Sequence, residues 1–581
     1  MSEPQPARRT RSVRLARQSV VAERRGRNVY LRSPDTLPAY PRKLTERLDH
    51  WAEHAPQRVF LAQRGPGGWL RLTYAQARSR ARRIAQALLE RRLSAERPVA
   101  VLSGNDFEHA LIELGALYAG VPYAPVSPAY SMLSKDFAKL KHVMRLLTPG
   151  LVFASQRESF EAGIAAAVPG DVEVVYGGDF GKLEASAPTG AVDEAHGGVG
   201  PDTIAKFLFT SGSTGEPKAV INTQRMWCSN QAMIRSMFAF FEEEPPLIVD
   251  WAPWHHTAAG NHDFGLVIYN GGSYYIDEGK PLPGAIETTV RNLREIAPTW
   301  YFNVPRGYEV LLPYLRKDRE LRENFFSRLK ILWFAGAGVS QPVFDEVKAL
   351  AYQTCGEEIP FLTGLGSTET APFAMGRMWE TKDVTNMGLP PPGVEIKLVP
   401  LQDKLEARLK GPNITPGYWR QPDLTAQVFD EEGYYRLGDS FVFANDKNPE
   451  EGLLFRGRLA EDFKLATGTW VQVGPLRARF IAHFSPLVRD VVIAGEGRSE
   501  VGALIIAAGN SPPEEFLKRL KTFPGTGSSN RIARAMVLDE PPSLDAGETT
   551  DKGSINQRAV LKRRAALVDE LFAGSPRVLI A

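Results

Sequence analysis

From about Pro41 onward the apolar positions alternate between two spacings. Residues 74–92 repeat apolar side chains every three or four positions, which predicts an amphipathic helix, and residues 108–119 predict a second. Between them residues 98–102 form a short apolar run, the pattern of a strand. Such alternation predicts βα units and parallel sheets. Further apolar runs fall at 151–154, 172–176, 205–209, 247–251, 329–334 and 359–362, several ending in Gly, Ser or Thr. Ligands of open α/β sheets gather beyond the carboxyl ends of strands, so these endings are candidate site loops. A Gly/Pro-marked stretch over 411–438 and a second over 457–474 precede short strand patterns at 491–493 and 502–507 and a helix at 514–521. This predicts three parts: a basic, mobile arm over 1–30, a large lobe over 31–456, and a C-terminal domain over 457–581.

The chain has 581 residues, more than one compact core usually serves, so at least two lobes are expected. With 43% hydrophobic and 24% charged residues, collagen-like, disordered and disulfide-scaffold classes are excluded for the whole chain. Lys plus Arg number 70 against 67 Asp plus Glu, a balance too even for a surface that coats nucleic acid. The two cysteines, Cys228 and Cys355, have no paired CxxC, which argues against structural zinc and suits a reducing, cytoplasmic compartment. The most lipid-like stretch, 110–126, is broken by Glu113, Pro122 and Pro125, so no membrane span is expected. Eight arginines in the first 27 residues, with no apolar segment among them, suit a solvated tail.

The densest candidate chemistry is an apolar run followed by Thr210, Ser211, Gly212, Ser213, Thr214, Gly215 and Lys218. Glycines let backbone approach an anion, hydroxyls donate hydrogen bonds, and one ammonium neutralises charge, so the composition suits a polyphosphate. It is not a Walker A loop, because Lys218 lacks the preceding Gly and the following Ser/Thr. Nor is it a hydrolase elbow, since position 211 is Ser where GxSxG needs Gly.

Residues 210–220 resemble the signature loop of the adenylate-forming superfamily, and further motifs follow in that family's order. Gly364, Leu365, Gly366, Ser367, Thr368 and Glu369 resemble its second nucleotide motif. Tyr435 through Asp439 are similar to its ribose-binding motif, Gly457–Arg458 to Gly468 to its hinge, and Lys552 to its C-terminal catalytic lysine. Phe334, Ala335, Gly336, Ala337 and Gly338 resemble the segment flanking the adenine. The resemblance implies an α/β fold with a large N-terminal lobe of stacked βα sheets and a smaller, mobile α+β C-terminal domain. It also implies ATP, Mg²⁺ and coenzyme A as cofactor and co-substrates.

The chemistry of each residue type agrees with that implication. Putting a carboxylate on a phosphate sets negative charge against negative charge, so positioned cations such as Lys552 lower the barrier. Asp439 can accept from both ribose hydroxyls, Glu369 is a hard oxygen ligand for Mg²⁺, Thr368 suits the α-phosphate, and Arg458 the nucleotide. Two positions depart from the family pattern: Leu365 stands where many relatives carry Tyr, and Ala460 where the hinge residue is usually Asp or Lys.

Three of the nine histidines, His255, His256 and His262, fall within eight positions beside Trp251 and Trp254. HExxH spacing and nearby cysteines are missing, which disfavours a metal site. By resemblance His256 is the gate of the acyl pocket, and Trp254, Asn303, Val304 and Pro305 are candidate lining for a flat aromatic slot. The segments 457–471 and 547–558 are most similar to those of bacterial feruloyl-CoA synthetases. The expected activity is therefore ligation of a hydroxycinnamate to CoA through acyl-AMP, by a monomer or homodimer without nucleic-acid or membrane partners. Alternatives are another acid, medium-chain fatty or benzoate-type, or an adenylating domain that loads a carrier protein.

Overall fold

The short apolar runs become strands buried on both faces. Val99–Val101 and Leu151–Ala154 are buried at every position, as befits strands covered by helices on either side. They share a six-stranded sheet with Tyr123–Pro125, Glu173–Tyr176, Ile204–Ser211 and Pro217–Thr223. Neighbours run parallel except the last two strands, which form an antiparallel hairpin. This computed structural model describes residues 8–211, 216–282, 284–550 and 553–581.

Two helices cover this sheet, each with its start written in the sequence. Tyr74–Glu90 begins at Thr73, whose hydroxyl accepts from Gln76 N while the Gln76 side chain accepts from Thr73 N, a reciprocal cap. Phe107–Ala119 begins where Asp106 accepts from His109 N at 2.7 Å and ends on Gly120 in the left-handed region.

A second layer holds Trp300–Asn303, Ile331–Phe334, Phe361–Gly366 and Phe373–Gly376, the first three parallel. The apolar run at 359–362 begins as a strand only at Phe361 and continues to Gly366, because its far end pairs with Phe373–Gly376. Beside it lies a four-stranded sheet of Leu247–Asp250, Ser273–Ile276, Val59–Gly65 and Gly68–Thr73. A fourth sheet is antiparallel throughout: Val21–Arg25, Asn28–Arg32, Glu395–Leu401, Lys404–Lys410, Tyr435–Phe443 and Leu453–Arg458. Three apolar cores lie between these layers, one from Val29 to Leu453, one from Ala62 to Phe361 and one from Ala100 to Ala219.

Beyond Arg458 the chain builds separate cores, one from Phe463 to Ala535 and one from Val492 to Val578. Around them stands a four-stranded sheet of Val488–Ala494, Val501–Ala507, Ile532–Val537 and Leu579–Ile580. The fold is thus α/β with a large N-terminal lobe and a smaller α+β C-terminal domain. Asp462 clasps the junction: Oδ2 accepts from Lys404 Nζ at 2.6 Å and Oδ1 from Val473 N at 3.0 Å.

The mobile arm needs correction. Residues 21–32 form two strands of the antiparallel sheet, and residues 8–20 are strapped across the large lobe. Arg11 Nη1 donates to the carbonyls of Phe326 at 2.9 Å and Leu329 at 2.7 Å, and Arg11 Nε to Glu357 at 3.1 Å. Arg14 pairs with Glu242 at 2.6 Å, and Gln18 bonds to Gly376 O and Met378 N, each at 2.9 Å. Arg11 and Arg14, two of the arginines that suggested a solvated tail, find fixed carbonyl and carboxylate acceptors instead. Among the described residues no helix is long and apolar enough to cross a membrane.

Candidate active site

The Ile204–Ser211 and Pro217–Thr223 hairpin sets Thr210 directly opposite Lys218. Of the residues between these strands, Gly212, Ser213, Thr214 and Gly215 lie outside the described residues, and Ser211 contributes only its backbone to the description. Thr210 Oγ1 is buried with no hydrogen-bond partner among the described residues. The Lys218 ammonium donates to Tyr418 Oη at 3.0 Å, sits 4.3 Å from the centre of that ring, and lies 3.9 Å from Glu369 Oε1. Burial holds its pKa below the ordinary lysine value against the pull of Glu369, and the Arg458 charge adds to that depression.

Glu369 is placed by the turn that ends Phe361–Gly366. Ser367 N donates to Thr370 Oγ1 at 2.8 Å and Thr370 N to Ser367 O at 3.1 Å, forming a single 3₁₀ turn over Thr368–Thr370. Thr368 and Glu369 are both buried there. The turn is tight because a β-carbon on Gly366 would fall 1.6 Å from Pro372 O, a place only glycine can occupy. Thr415 N then donates to Glu369 O at 2.8 Å, while Trp419 N bonds to Ala219 O at 2.9 Å. The segment 415–419 thereby stitches the turn to the hairpin and brings Tyr418 between Lys218 and Glu369.

Tyr435 is buried and hydrogen-bonds Tyr418 from the ribose-motif strand. Four residues on, Asp439 faces Arg458 across adjacent strands, with Arg458 Nε 3.6 Å from Oδ1. Asp439 is 6% exposed, and Oδ1 has no hydrogen-bond partner among the described residues. Burial pushes this carboxyl up to about 6, against the lowering pull of Arg458. An orphaned buried acceptor suits a ligand with hydroxyl donors.

Gly336, Ala337 and Gly338 form an exposed turn at the carboxyl end of Ile331–Phe334, with Gly336 in the left-handed region. Val304, Ala335 and Leu365 are half-buried at the ends of neighbouring strands. His256 is half-buried just before a π-helical turn over Ala258–Asp263, a form that often marks functional positions.

Three of the expected lining residues, Trp254, Asn303 and Pro305, are buried. Trp254 is fully buried, packed on His109, Phe264 and Tyr274, and donates from Nε1 to Tyr274 Oη at 3.1 Å. Asn303 is buried with its amide donating to Tyr301 Oη at 2.9 Å. Pro305 is buried as the first residue of the helix Pro305–Lys317, a position its fixed φ favours.

Lys552 lies outside the described residues. The chain flanking it pairs with itself, Thr550 N to Ser554 O and Gly553 N to Thr550 O, each at 2.9 Å. Just upstream, Lys135 N donates to Asp545 Oδ2 at 3.0 Å and Lys139 Nζ to Leu544 O. Lys139 belongs to the helix Ala138–Leu147, whose His142 Nε2 meets Pro217 O at 2.9 Å. One helix thus touches both the hairpin and the loop leading to Lys552. Among the described residues no cluster of three or more His, Cys, Asp or Glu could hold a metal. Glu369 as a lone carboxylate fits Mg²⁺, which keeps waters and takes further ligands from substrate phosphates.

Sequence reasoning missed Tyr418, although it sits in the Gly/Pro-marked stretch over 411–438. An aromatic hydroxyl beside Gly417 carries no spacing signal of its own.

The two-lobed architecture, with a hairpin lysine, a turn glutamate and a strand aspartate at one junction, is the adenylate-forming fold. The chain belongs to the AMP-binding enzyme family: the family profile matches residues 48–419, and that of the AMP-binding enzyme C-terminal domain matches residues 462–575. Carboxylic acid reductase of Segniliparus rugosus is 25% identical over 421 residues, which are 64% of this chain and 33% of that protein. The chain therefore spans about a third of the length of that relative. ATP-bound MatB from Rhodopseudomonas palustris aligns at a TM-score of 0.69 with 19% identity, covering 90% of this chain and 99% of MatB. O-succinylbenzoate coenzyme A synthetase (MenE) of Bacillus subtilis, in complex with AMP, aligns at 0.69 with 15% identity, covering 90% and 98%.

Proposed function

We propose that this chain is an AMP-forming acid–thiol ligase that activates an aromatic carboxylic acid of the hydroxycinnamate type and transfers it to coenzyme A. The observation that carries the reading is the convergence of Lys218, Tyr418 and Glu369 beside the orphaned Asp439 carboxyl. That set offers one cation, one metal-binding carboxylate and one ribose acceptor to a single nucleotide. The expected similarity to bacterial feruloyl-CoA synthetases supplies the acid, and the half-buried His256 would gate its pocket.

In the first step the acid's carboxylate oxygen attacks the α-phosphorus of ATP, the bond to the β-phosphate oxygen breaks, and pyrophosphate leaves. Asp439 accepts from the ribose, Thr368 contacts the α-phosphate, and Lys218 with Lys552 offsets the gathering negative charge. Glu369 would hold Mg²⁺, which neutralises phosphate charge when bound. In the second step the CoA sulfur attacks the acyl carbon, the thiol proton is lost to solvent, and AMP leaves. Rotation of the C-terminal domain about residues 457–468 would exchange Lys552 for the thiol between steps.

The test is mass-spectrometric detection of feruloyl-CoA, AMP and pyrophosphate from ferulate, ATP and CoA. Faster turnover of octanoate or benzoate would replace the acid. Acyl-AMP without thioester would indicate transfer to a carrier protein. Lys552→Ala is expected to slow pyrophosphate release at least about a hundredfold, as loss of a positioned charge does.

A further inference from the structure

The helix Ala138–Leu147 packs against the hairpin that carries Lys218. Its buried Leu140, Val143, Met144 and Leu147 share one core with Phe207 and Ala219. Along the outer edge of Pro217–Thr223, every second residue turns its backbone groups away from the neighbouring strand. Ile221 N donates to Gly417 O at 3.1 Å and Trp419 N to Ala219 O at 2.9 Å, so backbone stitches this edge at 219 and 221. Pro217 is next in that alternation and has no N–H, so a ladder cannot continue there in full. Its carbonyl is taken instead by the side chain of His142, Nε2 lying at 2.9 Å. Only an N–H can face a carbonyl, so Nε2 carries a hydrogen. Nδ1 lies 3.6 Å from the exposed Glu216 carboxylate. One imidazole thus fixes the residue next to Lys218.

Both ends of this helix are tied to other parts of the candidate site. At its end, Arg420 Nη1 donates to Leu146 O at 3.1 Å and to Thr148 Oγ1 at 3.0 Å, joining the last turn to the segment that presents Tyr418. Before its start, Lys135 N donates to Asp545 Oδ2 at 3.0 Å, and in its first turn Lys139 Nζ donates to Leu544 O. The loop that receives these bonds is stiff. Ser543 N donates to Glu548 Oε2 at 2.8 Å, Asn556 N to Glu548 O at 2.9 Å, and Arg564 Nε to Glu548 Oε1 at 2.7 Å. Glu548 is fully buried, so residues 543–548 follow the C-terminal domain as a unit.

We propose that His142 is a positioning residue for Lys218, and that its helix couples the hairpin to the placement of the C-terminal domain. With loop 543–548 docked on the start of the helix, the Nε2 hydrogen holds Pro217 and the neighbouring ammonium meets the phosphates. Rotation of the C-terminal domain breaks the bonds from Lys135 and Lys139 and frees the start of the helix. Grip on the nucleotide and placement of the C-terminal domain therefore change together, through one contiguous set of contacts. This rests on the ligase reading above for ATP as the ligand; the identity of the acid does not enter.

Calorimetric titration of the full chain with the α,β-methylene analogue of ATP and Mg²⁺ reads that grip without any acid. His142→Leu removes the donor and is expected to weaken binding about 3- to 10-fold, the worth of one neutral hydrogen bond. His142→Gln offers an amide N–H to the same carbonyl and is expected to stay within about twofold of the wild-type protein, a rescue that loss of packing alone would not give. Asp545→Ala undocks the loop and is expected to weaken binding by a similar factor. The double variant His142→Leu, Asp545→Ala should lose no more than the larger single effect, because both act through one chain of contacts. Unchanged affinity in His142→Leu, or an equal loss in His142→Gln, overturns the positioning role. Unchanged affinity in Asp545→Ala, or losses that multiply in the double variant, overturns the coupling. A His142→Leu chain that fails to fold leaves the decision to His142→Gln and Asp545→Ala, where wild-type affinity in both overturns the coupling and a loss in Asp545→Ala alone supports it. A wild-type chain that binds no nucleotide overturns the ligase reading itself, an outcome distinct from binding indifferent to these substitutions.

Discussion

The Tyr418 hydroxyl donates to Glu369 Oε1 at 2.9 Å, and both residues are buried. Because Lys218 donates to the same hydroxyl, Tyr418 links the hairpin to the turn that carries Glu369. Its phenol is held protonated by burial and by the Glu369 charge. The hydroxyl therefore keeps one Glu369 carboxylate oxygen occupied.

Tyr418→Phe removes that bond and leaves the ring. A hydrogen bond to a charged group is worth about 1.5–3 kcal/mol, so kcat/KM for pyrophosphate release should fall at least about tenfold. The Mg²⁺ concentration for half-maximal rate should rise as Glu369 loses its orientation. A rate loss at unchanged Mg²⁺ dependence would show that Tyr418 acts only on Lys218.

Lys206 and Glu113 form an ion pair at 2.8 Å with both side chains fully buried. The Lys206 ammonium also sits 3.4 Å from the centre of the Trp227 ring and 3.3 Å from Gly260 O, beneath the π-helical turn. Burial alone lowers the lysine pKa and raises that of the glutamate, and the pair survives because each supplies the other's counter-charge. Lys206→Met strands a buried carboxyl and should cost about 3–5 kcal/mol in urea unfolding. The double variant Lys206→Met, Glu113→Gln should recover at least half of that loss; no recovery would place the cost in the Gly260 contact.

Much of this was legible before the fold. The strand at 151–154 and the helix begun by Thr73 carry their own signals in apolar runs and capping side chains. Lys218, Glu369 and Asp439 are marked by glycines and hydroxyls that only a tight turn near an anion requires. Long-range partners leave no such trace. Nothing local distinguishes Trp254, sealed in the core, from an exposed slot residue, because burial is decided by His109 and Tyr274 far along the chain. The arginines at 11 and 14 read as a solvated tail for the same reason: their acceptors at 326, 329 and 242 are more than two hundred residues distant.

The strap over residues 8–20 should therefore carry stability. Gln18 fills both donor and acceptor roles at its site, donating to Gly376 O and accepting from Met378 N. Gln18→Ala leaves these groups unpaired and should cost about 1–3 kcal/mol, with Arg11→Ala acting in the same direction. Removing residues 1–20 should lower the unfolding temperature by several degrees, measured by calorimetry. An unshifted transition would mean that the strap gains nothing over water as a partner for these groups.

On the proposed reading, Asp439 sets the pH dependence of nucleotide binding. Its carboxyl, raised by burial to about 6 in the free protein from an ordinary 3.8, would accept from both ribose hydroxyls most strongly when ionised. Binding favours the carboxylate and releases a proton, so AMP affinity should be full near pH 8 and fall toward tenfold per unit below about 6. The stability effect has the opposite sign. A raised carboxyl is cheap to keep protonated, so ionising it costs the folded state as pH rises through about 6, and the cost is absent below the unfolded value. Asp439→Asn should therefore stabilise the ligand-free protein at pH 8 by an amount on the order of 1–3 kcal/mol, while weakening AMP binding roughly 10- to 100-fold and flattening its pH profile. Titration calorimetry at pH 5.5 and 8, with thermal unfolding of both proteins, reads all three effects. An Asn variant that kept the pH slope would move the titrating group elsewhere.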